Sequence, residues 1–369
     1  MNDGAITWVG TDEGLARYNG MDWEIFTSET SELPDDHVRD IYKDNQGNSW
    51  VATYSGVLKM NVNGWEVIDM SNSPIQSNQI RSISVTADNT VWFGTWGYGL
   101  ISYNGQNWTL FDTQNSDIPS NGIFEVTIDE VDNIWVGTFQ GGVSKYNGQT
   151  WETFNTANSE LPNNNVRDIT FSQSGIVWFG TDDGLARMTS EGEWEVFTYQ
   201  ELGHSVHTIH DGANVADGII YFATDGGLIR FESLNYTFYT LQNSSLPSNN
   251  LRCISKDSNG NLWIGTGNNG VTIFSPEGSL SVNDRQEASY FQPYPNPTLD
   301  NTILDLNTKL GQDFEVVIHN NLGQMVYRNQ VTNHSNRIYP IELGNLPAGY
   351  FSVSVISDGN VDTKKVLKL

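Results

Sequence analysis

The sequence predicts an all-β fold: a seven-bladed β-propeller with an incomplete N-terminal blade, followed by a small immunoglobulin-like antiparallel β-sandwich. Three observations support this prediction. A short motif recurs seven times at nearly constant spacing, each repeat contains strand-like segments separated by turn residues, and the composition changes after Pro276.

The recurring motif is an aromatic residue followed two positions later by glycine or alanine and then by threonine. Successive copies lie 42 or 43 residues apart, which is the length of one four-stranded propeller blade. The motif aromatics are Trp8, Trp50, Trp92, Trp135, Trp178, Tyr221 and Trp263. One blade is therefore assigned to each repeat, and the aromatics are expected to pack between blades.

Within each repeat, four short apolar runs are bounded by glycine, asparagine and aspartate, which predicts four consecutive strands, a to d. In the second repeat the runs are residues 38–41, 49–53, 56–60 and 64–68. Asp44 with Gly47, and Asp257 with Gly260, resemble part of a calcium loop. No repeat carries the full ligand set, so turns capped by side chains are the preferred interpretation.

Both ends of the predicted propeller are irregular. The chain begins too close to Trp8 for a strand a in the first blade, and Met1–Gly10 has neither the basic region nor the apolar run of a signal peptide. Together these features suggest an incomplete N-terminus. The alternative is a cytoplasmic protein whose C-terminal resemblance to an export signal, described below, is accidental. At the other end, Leu280–Asn283 is the candidate for the closing strand.

The net charge of −26 disfavours nucleic acid and anionic membranes as partners. The acidic residues are interpreted as a solvated surface. No stretch approaches the roughly 20 apolar residues of a membrane span. The single cysteine, Cys253, is interpreted as a buried thiol. No cofactor and no metal site is predicted, and a monomer is expected.

The periodic pattern stops after Pro276, and a polar stretch leads into the proline-rich residues 293–297. Six alternating apolar and polar runs follow, which suits a small antiparallel sandwich. The predicted organisation is a propeller over residues 1–278, a linker over 279–292 and a C-terminal domain over 293–369.

Two family resemblances follow from these motifs. The repeats resemble the two-component regulator propeller family, as in residues 123–129, 134–138 and 141–143. Residues 294–297, 321–326, 346–351 and 364–369 resemble the type A C-terminal sorting domain of the type IX secretion system. The residues that carry the sorting signal are Pro295, Asn296, Pro297, Gly323, Gly349, Tyr350, Lys364 and Lys365.

The second resemblance implies export by a Bacteroidetes-type bacterium. The tail would address the protein to the outer-membrane translocon and its sortase machinery, where it is usually removed. A secreted or surface-attached location is therefore expected, with the mature protein either anchored or released.

Candidate ligand-binding residues come first from the b-to-c turns. The residues that directly follow the motif threonine are Asp12, Tyr54, Trp96, Phe139, Asp182, Asp225 and Gly267. Three adjacent blades thus present Tyr54, Trp96 and Phe139, with Tyr98 two residues beyond Trp96. Such rings stack on sugars or hold an apolar peptide side chain. The alternative is that they pack over the neighbouring blade.

A second set of candidates lies on strand a. The aligned residues are Arg39, Arg81, Phe124, Arg167, His207 and Arg252. Arg39, Arg81, Arg167 and Arg252 would bind a carboxylate or sulfate on a ligand. Because Asp40, Glu125 and Asp168 adjoin this set, internal ion pairing is the favoured interpretation.

No catalytic residue is predicted. His204, His207 and His210 do not share one face of a strand, so a structural role is favoured over metal binding. The preferred function is a propeller that binds an extracellular glycan or peptide. The first alternative is a lyase or hydrolase that uses His207 or His210 with Glu125, by fold-level resemblance to antibiotic lyases. The second is a structural surface protein without a specific ligand.

Overall fold

A computed structural model of the protein describes residues 1–3, 6–202, 208–216, 218–232, 235–275, 291–294, 301–306, 313–320, 325–332, 338–347, 349–357 and 360–368. The chain divides into two compact units, Met1–Pro276 and Glu277–Leu369. Most of the predicted linker, the candidate strand Leu280–Asn283, and Pro295, Asn296, Pro297 and Gly323 lie outside the described residues.

The first unit consists of seven antiparallel sheets, one for each sequence repeat, which confirms the predicted propeller. In the described residues, six sheets have four strands and the seventh has three. A four-residue helix, α1 (Tyr199–Leu202), follows the fifth sheet. In chain order the strands are β1 Asn2–Asp3, β2 Ile6–Thr11, β3 Gly14–Tyr18, β4 Trp23–Phe26, β5 Val38–Lys43, β6 Ser49–Thr53, β7 Gly56–Asn61, β8 Gly64–Ile68, β9 Ile80–Val85, β10 Val91–Thr95, β11 Leu100–Tyr103, β12 Trp108–Phe111, β13 Ile123–Ile128, β14 Ile134–Thr138, β15 Val143–Tyr146, β16 Trp151–Phe154, β17 Val166–Phe171, β18 Val177–Thr181, β19 Gly184–Met188, β20 Trp194–Thr198, β21 Ile209–Ala216, β22 Ile219–Thr224, β23 Gly227–Glu232, β24 Asn235–Tyr239, β25 Leu251–Lys256, β26 Leu262–Thr266 and β27 Val271–Phe274.

The motif aromatics fill the space between neighbouring blades, as expected. Trp50 of blade 2 is 2% exposed, and its ring lies 5.7 Å from that of Phe93 in blade 3. Trp263 of blade 7 lies 5.9 Å from the ring of Tyr18 and 6.5 Å from that of Trp23, both in blade 1. The last blade therefore contacts the first and closes the ring.

The first blade has a short inner strand rather than none. β1 pairs only with Ile6 and Thr7 of β2. Met1 then exchanges two hydrogen bonds with Trp8, at 2.8 and 3.0 Å. In blade 2, by contrast, β5 pairs along the whole of β6.

A cavity of about 500 Å³ lies beside this short strand, between the inner strands of blades 2 and 7. Cys253 lines the cavity and is exposed to it. Cys253 is thus exposed to a cavity that protein surrounds, which corrects the expectation of a buried thiol. Burial within the ring still raises the pKa of Cys253 to about 11.

The aspartates that resembled calcium ligands cap hairpin turns. Asp44 accepts hydrogen bonds from the amides of Gln46 and Asn48, at 2.9 and 2.8 Å, and from the Trp50 indole at 2.9 Å. The same indole-to-carboxylate bond recurs at Asp129 with Trp135 (3.0 Å) and at Asp257 with Trp263 (3.1 Å). These acids fasten each turn to the motif tryptophan of its own blade.

The second unit contains two antiparallel sheets around one core, in agreement with the predicted sandwich. The sheet orders are β28-β29-β32 and β31-β30-β33-β34. The strands are β28 Phe291–Tyr294, β29 Asn301–Leu306, β30 Phe314–Asn320, β31 Met325–Val331, β32 Ile338–Glu342, β33 Gly349–Ser357 and β34 Asn360–Lys368. Leu304 and Ile341 of the first sheet pack with Phe314 and Phe351 of the second.

The end of the chain is fastened to this sandwich. Lys364 and Lys365 lie in β34, which pairs along the whole of β33, including Gly349 and Tyr350. Lys368 is only 7% exposed, and its ammonium group donates to the carbonyls of Gly344 and Leu346.

Replacing Asp129 with alanine should destabilise the propeller by about 1–3 kcal/mol, because the indole of Trp135 and the amides of the turn lose their acceptor. Urea unfolding followed by tryptophan fluorescence measures this change. Glu130→Ala, at the exposed neighbouring position, should change stability by less than about 0.5 kcal/mol. Equal stabilities of the two variants would refute the capping role of Asp129.

Candidate functional site

Each of the six long inner strands contains a β-bulge at the same position. In blade 2, Val38 pairs with Thr53 and Asp40 pairs with Ala52, which leaves Arg39 as the extra residue. The six bulge residues are Arg39, Arg81, Phe124, Arg167, His210 and Arg252. A bulge re-aims the side chains on either side of it.

The bulge residues match the strand-a alignment except in blade 6, where the member is His210 and not His207. His204 and His207 lie outside the described residues. Strand β21 carries a second irregularity after Asn214, but the interval from the bulge residue to the motif aromatic is unchanged. Counting back eleven residues from Tyr221 would have found His210, because Arg39 stands at the same distance from Trp50.

The residue after each bulge belongs to the central channel. These residues are Asp40, Ser82, Glu125, Asp168, Asp211 and Cys253. Asp40 accepts a 2.7 Å hydrogen bond from the amide of Ile83 in the next blade, and Asp211 accepts one of the same length from Ile254. Ser82 accepts from Val126 at 3.0 Å. Adjacent inner strands are thereby joined around the channel.

Burial raises the pKa of the four channel carboxyls. The pKa of Asp168 rises to about 6 because of its burial. Burial, followed by repulsion from Asp168, raises the pKa of Asp211 well above its usual range. Burial and then Asp40 do the same for Glu125. Some of these groups touch channel solvent, but protein surrounds them and limits their hydration.

The arginines pair with the b-to-c turns, not with the channel acids that were expected to neutralise them. The Arg39 guanidinium lies 2.8 Å from Asp12. Arg167 makes an ion pair with Asp182, with one N–O distance of 3.2 Å. The favoured interpretation of internal pairing therefore holds for these two arginines, with different partners.

Arg252 contacts a histidine instead. Its Nη1 lies 3.0 Å from Nε2 of His210. Burial, followed by the charges of Arg252 and Arg167, lowers the pKa of His210 to about 4. The imidazole is thus neutral at neutral pH, and its Nε2 lone pair accepts the arginine N–H.

Aromatic rings flank the guanidinium groups of Arg39 and Arg81. Arg39 lies 4.4 Å from the ring centroid of Tyr54. Arg81 lies 4.7 Å from the Trp96 ring and 5.2 Å from the Phe124 ring. These distances are within the range of cation–π attraction.

The turn aromatics divide into packed and exposed rings. The ring of Trp96 folds over blade 4 and lies 5.5 Å from Phe124 and 5.4 Å from Phe139. A Cβ atom on Gly122 would lie only 3.1 Å from Phe139 and 3.7 Å from Trp96, so glycine permits this close approach. Tyr98 and Phe139 remain 51% and 37% exposed.

Together these side chains form one cationic and aromatic surface, here named the aromatic–arginine face. It consists of Tyr54, Trp96, Phe139, Arg39, Arg81, Phe124 and Arg167. Tyr98 borders it on the turn that carries Trp96. Arg252 lies apart from it, paired with His210.

Comparison with protein families supports both halves of this architecture. Residues 32–55, 74–97, 160–183 and 245–268 match the two component regulator propeller model. Residues 292–368 match the model of the secretion system C-terminal sorting domain. The chain therefore combines repeats that match the two component regulator propeller model with a secretion sorting tail. This tail indicates a secreted or cell-surface protein that the secretion machinery handles.

Several solved structures share the fold of this chain. The extracellular domain of a hybrid two component system from B. thetaiotaomicron is 21% identical over 99% of this chain and 54% of its own length, with a TM-score of 0.66. PorZ, a surface component of the type-IX secretion system of Porphyromonas gingivalis, is 16% identical over 99% and 56%, with a TM-score of 0.61. Virginiamycin B lyase from Staphylococcus aureus is 14% identical over 71% and 90%, with a TM-score of 0.56.

The chain spans little more than half the length of the first two of these structures, 54% and 56%. No curated protein matches its sequence. In the part of the chain that the structure describes, no helix combines the length and the apolar character of a membrane span.

The channel acids predict a pH dependence of stability. A carboxyl whose pKa is higher in the folded state stabilises that state fully below the unfolded pKa, and this contribution is lost as the pH rises through the folded value. For Asp168 this window runs from about 4, the unfolded value, to about 6. The melting temperature of the protein should therefore fall between about pH 4 and pH 7.

Asp168→Asn should reduce this fall and raise the melting temperature at pH 8 by about 2–6 °C, because the amide keeps an acceptor but carries no charge. Thermal unfolding at a series of pH values tests this, with the exposed Asp117→Asn as the control. Parallel pH profiles for all three proteins would contradict the assignment.

Proposed function

We propose that the protein is exported by the type IX secretion system and that its propeller binds an extracellular glycan or peptide on the aromatic–arginine face. The observation that carries the proposal is the contact of the exposed Phe139 with Trp96, whose ring in turn covers Arg81, with the exposed Tyr98 two residues beyond Trp96 on the same turn.

The fold holds these groups in place before a ligand arrives. Trp96 is hydrogen-bonded through its amide to Gln79 and packs against Phe139, whose own amide bonds to Gly122 at 2.8 Å. Large flat side chains with few rotatable bonds bury area at little entropic cost. A preorganised surface of this kind supports recognition.

The solved relatives favour an extracellular setting, since they include an extracellular domain and a bacterial surface component. The likeness to the lyase is a likeness of fold and does not by itself supply a catalytic group. His210, the described histidine of the strand-a set, uses its Nε2 lone pair to accept from Arg252 and is poorly placed as a base. Binding without turnover is therefore the proposal.

Tyr98→Ala and Phe139→Ala should each weaken ligand binding about tenfold or more, because each removes an exposed ring from the turns that carry the face. Fluorescence titration against a panel of polysaccharides and peptides, with product analysis of every mixture, measures this. Tyr236→Ala, which removes a 39% exposed ring from strand β24, should leave affinity unchanged.

Each outcome of the panel has a distinct meaning. Product formation would replace the binding proposal with the lyase or hydrolase alternative. If no member of the panel binds, or if neither ring deletion changes the affinity, a structural surface protein would be favoured.

Deleting Lys364–Leu369 should leave the protein in the periplasm of a host with a type IX system. The deletion removes the buried Val366 and Lys368 together with half of β34. Cell fractionation measures the distribution of the protein. Arg328→Ala, which breaks an exposed ion pair with Glu315 in the same domain, should be exported normally. Surface delivery of the deletion variant would overturn the sorting role of these residues.

A further inference from the structure

The arginines at the bulge positions are not equally neutralised. Arg39 forms an ion pair with Asp12, and Arg167 forms one with Asp182. Arg252 instead donates a hydrogen bond to the neutral His210. Among the described residues, no carboxylate lies within ion-pairing distance of Arg81. A half-buried guanidinium without a carboxylate is unusual in a chain with a net charge of −26.

The surroundings of Arg81 add positive charge. Burial lowers the pKa of Arg81; Tyr54 opposes this in part, and the nearby charges of Arg39 and Arg167 lower the pKa further. A lowered pKa means that the charged form is less well stabilised here than in water. Cation–π contacts with Trp96 and Phe124 offset some of this loss, but an anion would offset more.

Arg81 shares one ring with a second guanidinium. The Phe124 ring lies 5.2 Å from Arg81 and 4.5 Å from Arg167. Phe124 occupies a bulge position that is an arginine in most of the other blades, so it separates two cations without neutralising either. The charge of Arg167 is nevertheless felt at Arg81, so it adds to the positive potential that an anion at Arg81 would meet.

The overall negative charge does not prevent anion binding at this point. At physiological ionic strength, charges more than about 8 Å apart are largely screened in solvent. The local pair of guanidinium groups therefore decides the sign of the ligand that the face accepts, and distant surface acids contribute little.

We propose that Arg81, assisted by Arg167, binds a carboxylate or sulfate group of an acidic glycan. This inference rests on the proposed function, because it places the ligand on the same face. A flat sugar ring that carries an acidic substituent fits the arrangement: the ring contacts Phe139 and Tyr98, and the acidic group accepts from the planar guanidinium of Arg81.

The experiment compares charged glycans with uncharged partners by isothermal titration calorimetry of the full chain. The pairs are polygalacturonate with its methyl ester, alginate with its propylene glycol ester, and chondroitin sulfate with desulfated, esterified chondroitin. At least one acidic glycan should bind about tenfold or more tightly than its uncharged partner. Arg81→Gln should abolish that preference and leave the affinity for the uncharged partner unchanged.

Two further variants keep the test independent of folding. Arg81→Lys retains the charge but loses the planar fork, and it should show an intermediate preference. Arg230→Gln removes an arginine that pairs with Glu232 on strand β23, and it should bind like the unaltered protein. Thermal unfolding of each variant confirms that it is folded.

The outcomes separate this inference from the proposed function. Equal affinity for the charged and uncharged partners, or a preference that survives Arg81→Gln, would overturn the anion site while leaving glycan binding intact. Silence across all three pairs would also overturn it. If a triglutamate peptide binds in an Arg81-dependent manner while the glycans do not, the site accepts an acidic peptide and the glycan assignment is wrong.

Discussion

The propeller depends on one interaction, the hydrogen bond that a polar side chain of an inner strand accepts from the backbone of the next blade, as between blades 2 and 3, 3 and 4, and 6 and 7. Asp40 receives the amide of Ile83, and Asp211 receives that of Ile254. A bulge immediately before each acceptor re-aims the strand. The bond closes the inner edge of the ring, and it places carboxyl groups where burial raises their pKa.

The same bulge creates the candidate binding surface. The bulge residue and the acceptor that follows it have different partners. The bulge arginines contact the b-to-c turns, whereas the acids that follow them line the channel. Arg39 and Arg167 consequently find Asp12 and Asp182 rather than their neighbours in sequence. Arg81 faces Trp96 where the other two face an acid.

The outer part of the ring is held by aromatic packing, which continues across blade 1. Its inner strand is only two residues long, and a cavity of about 500 Å³ lies beside it. Trp263 still contacts Tyr18 and Trp23 across the junction between the last and first blades. The inner hydrogen bonds and the outer aromatic contacts thus contribute separately to the ring.

The sequence by itself determined the number of blades, the order of their strands, the packing of the motif tryptophans and the sorting tail, because each is encoded by residues close together in the chain. It could not determine which rings are exposed or how the charges pair. Trp96 is covered by Phe124 and Phe139, and Asp40 is satisfied by Ile83, all contacts between different blades. Only the tertiary structure decided these points, since the direction of a side chain beside a bulge depends on the neighbouring blade.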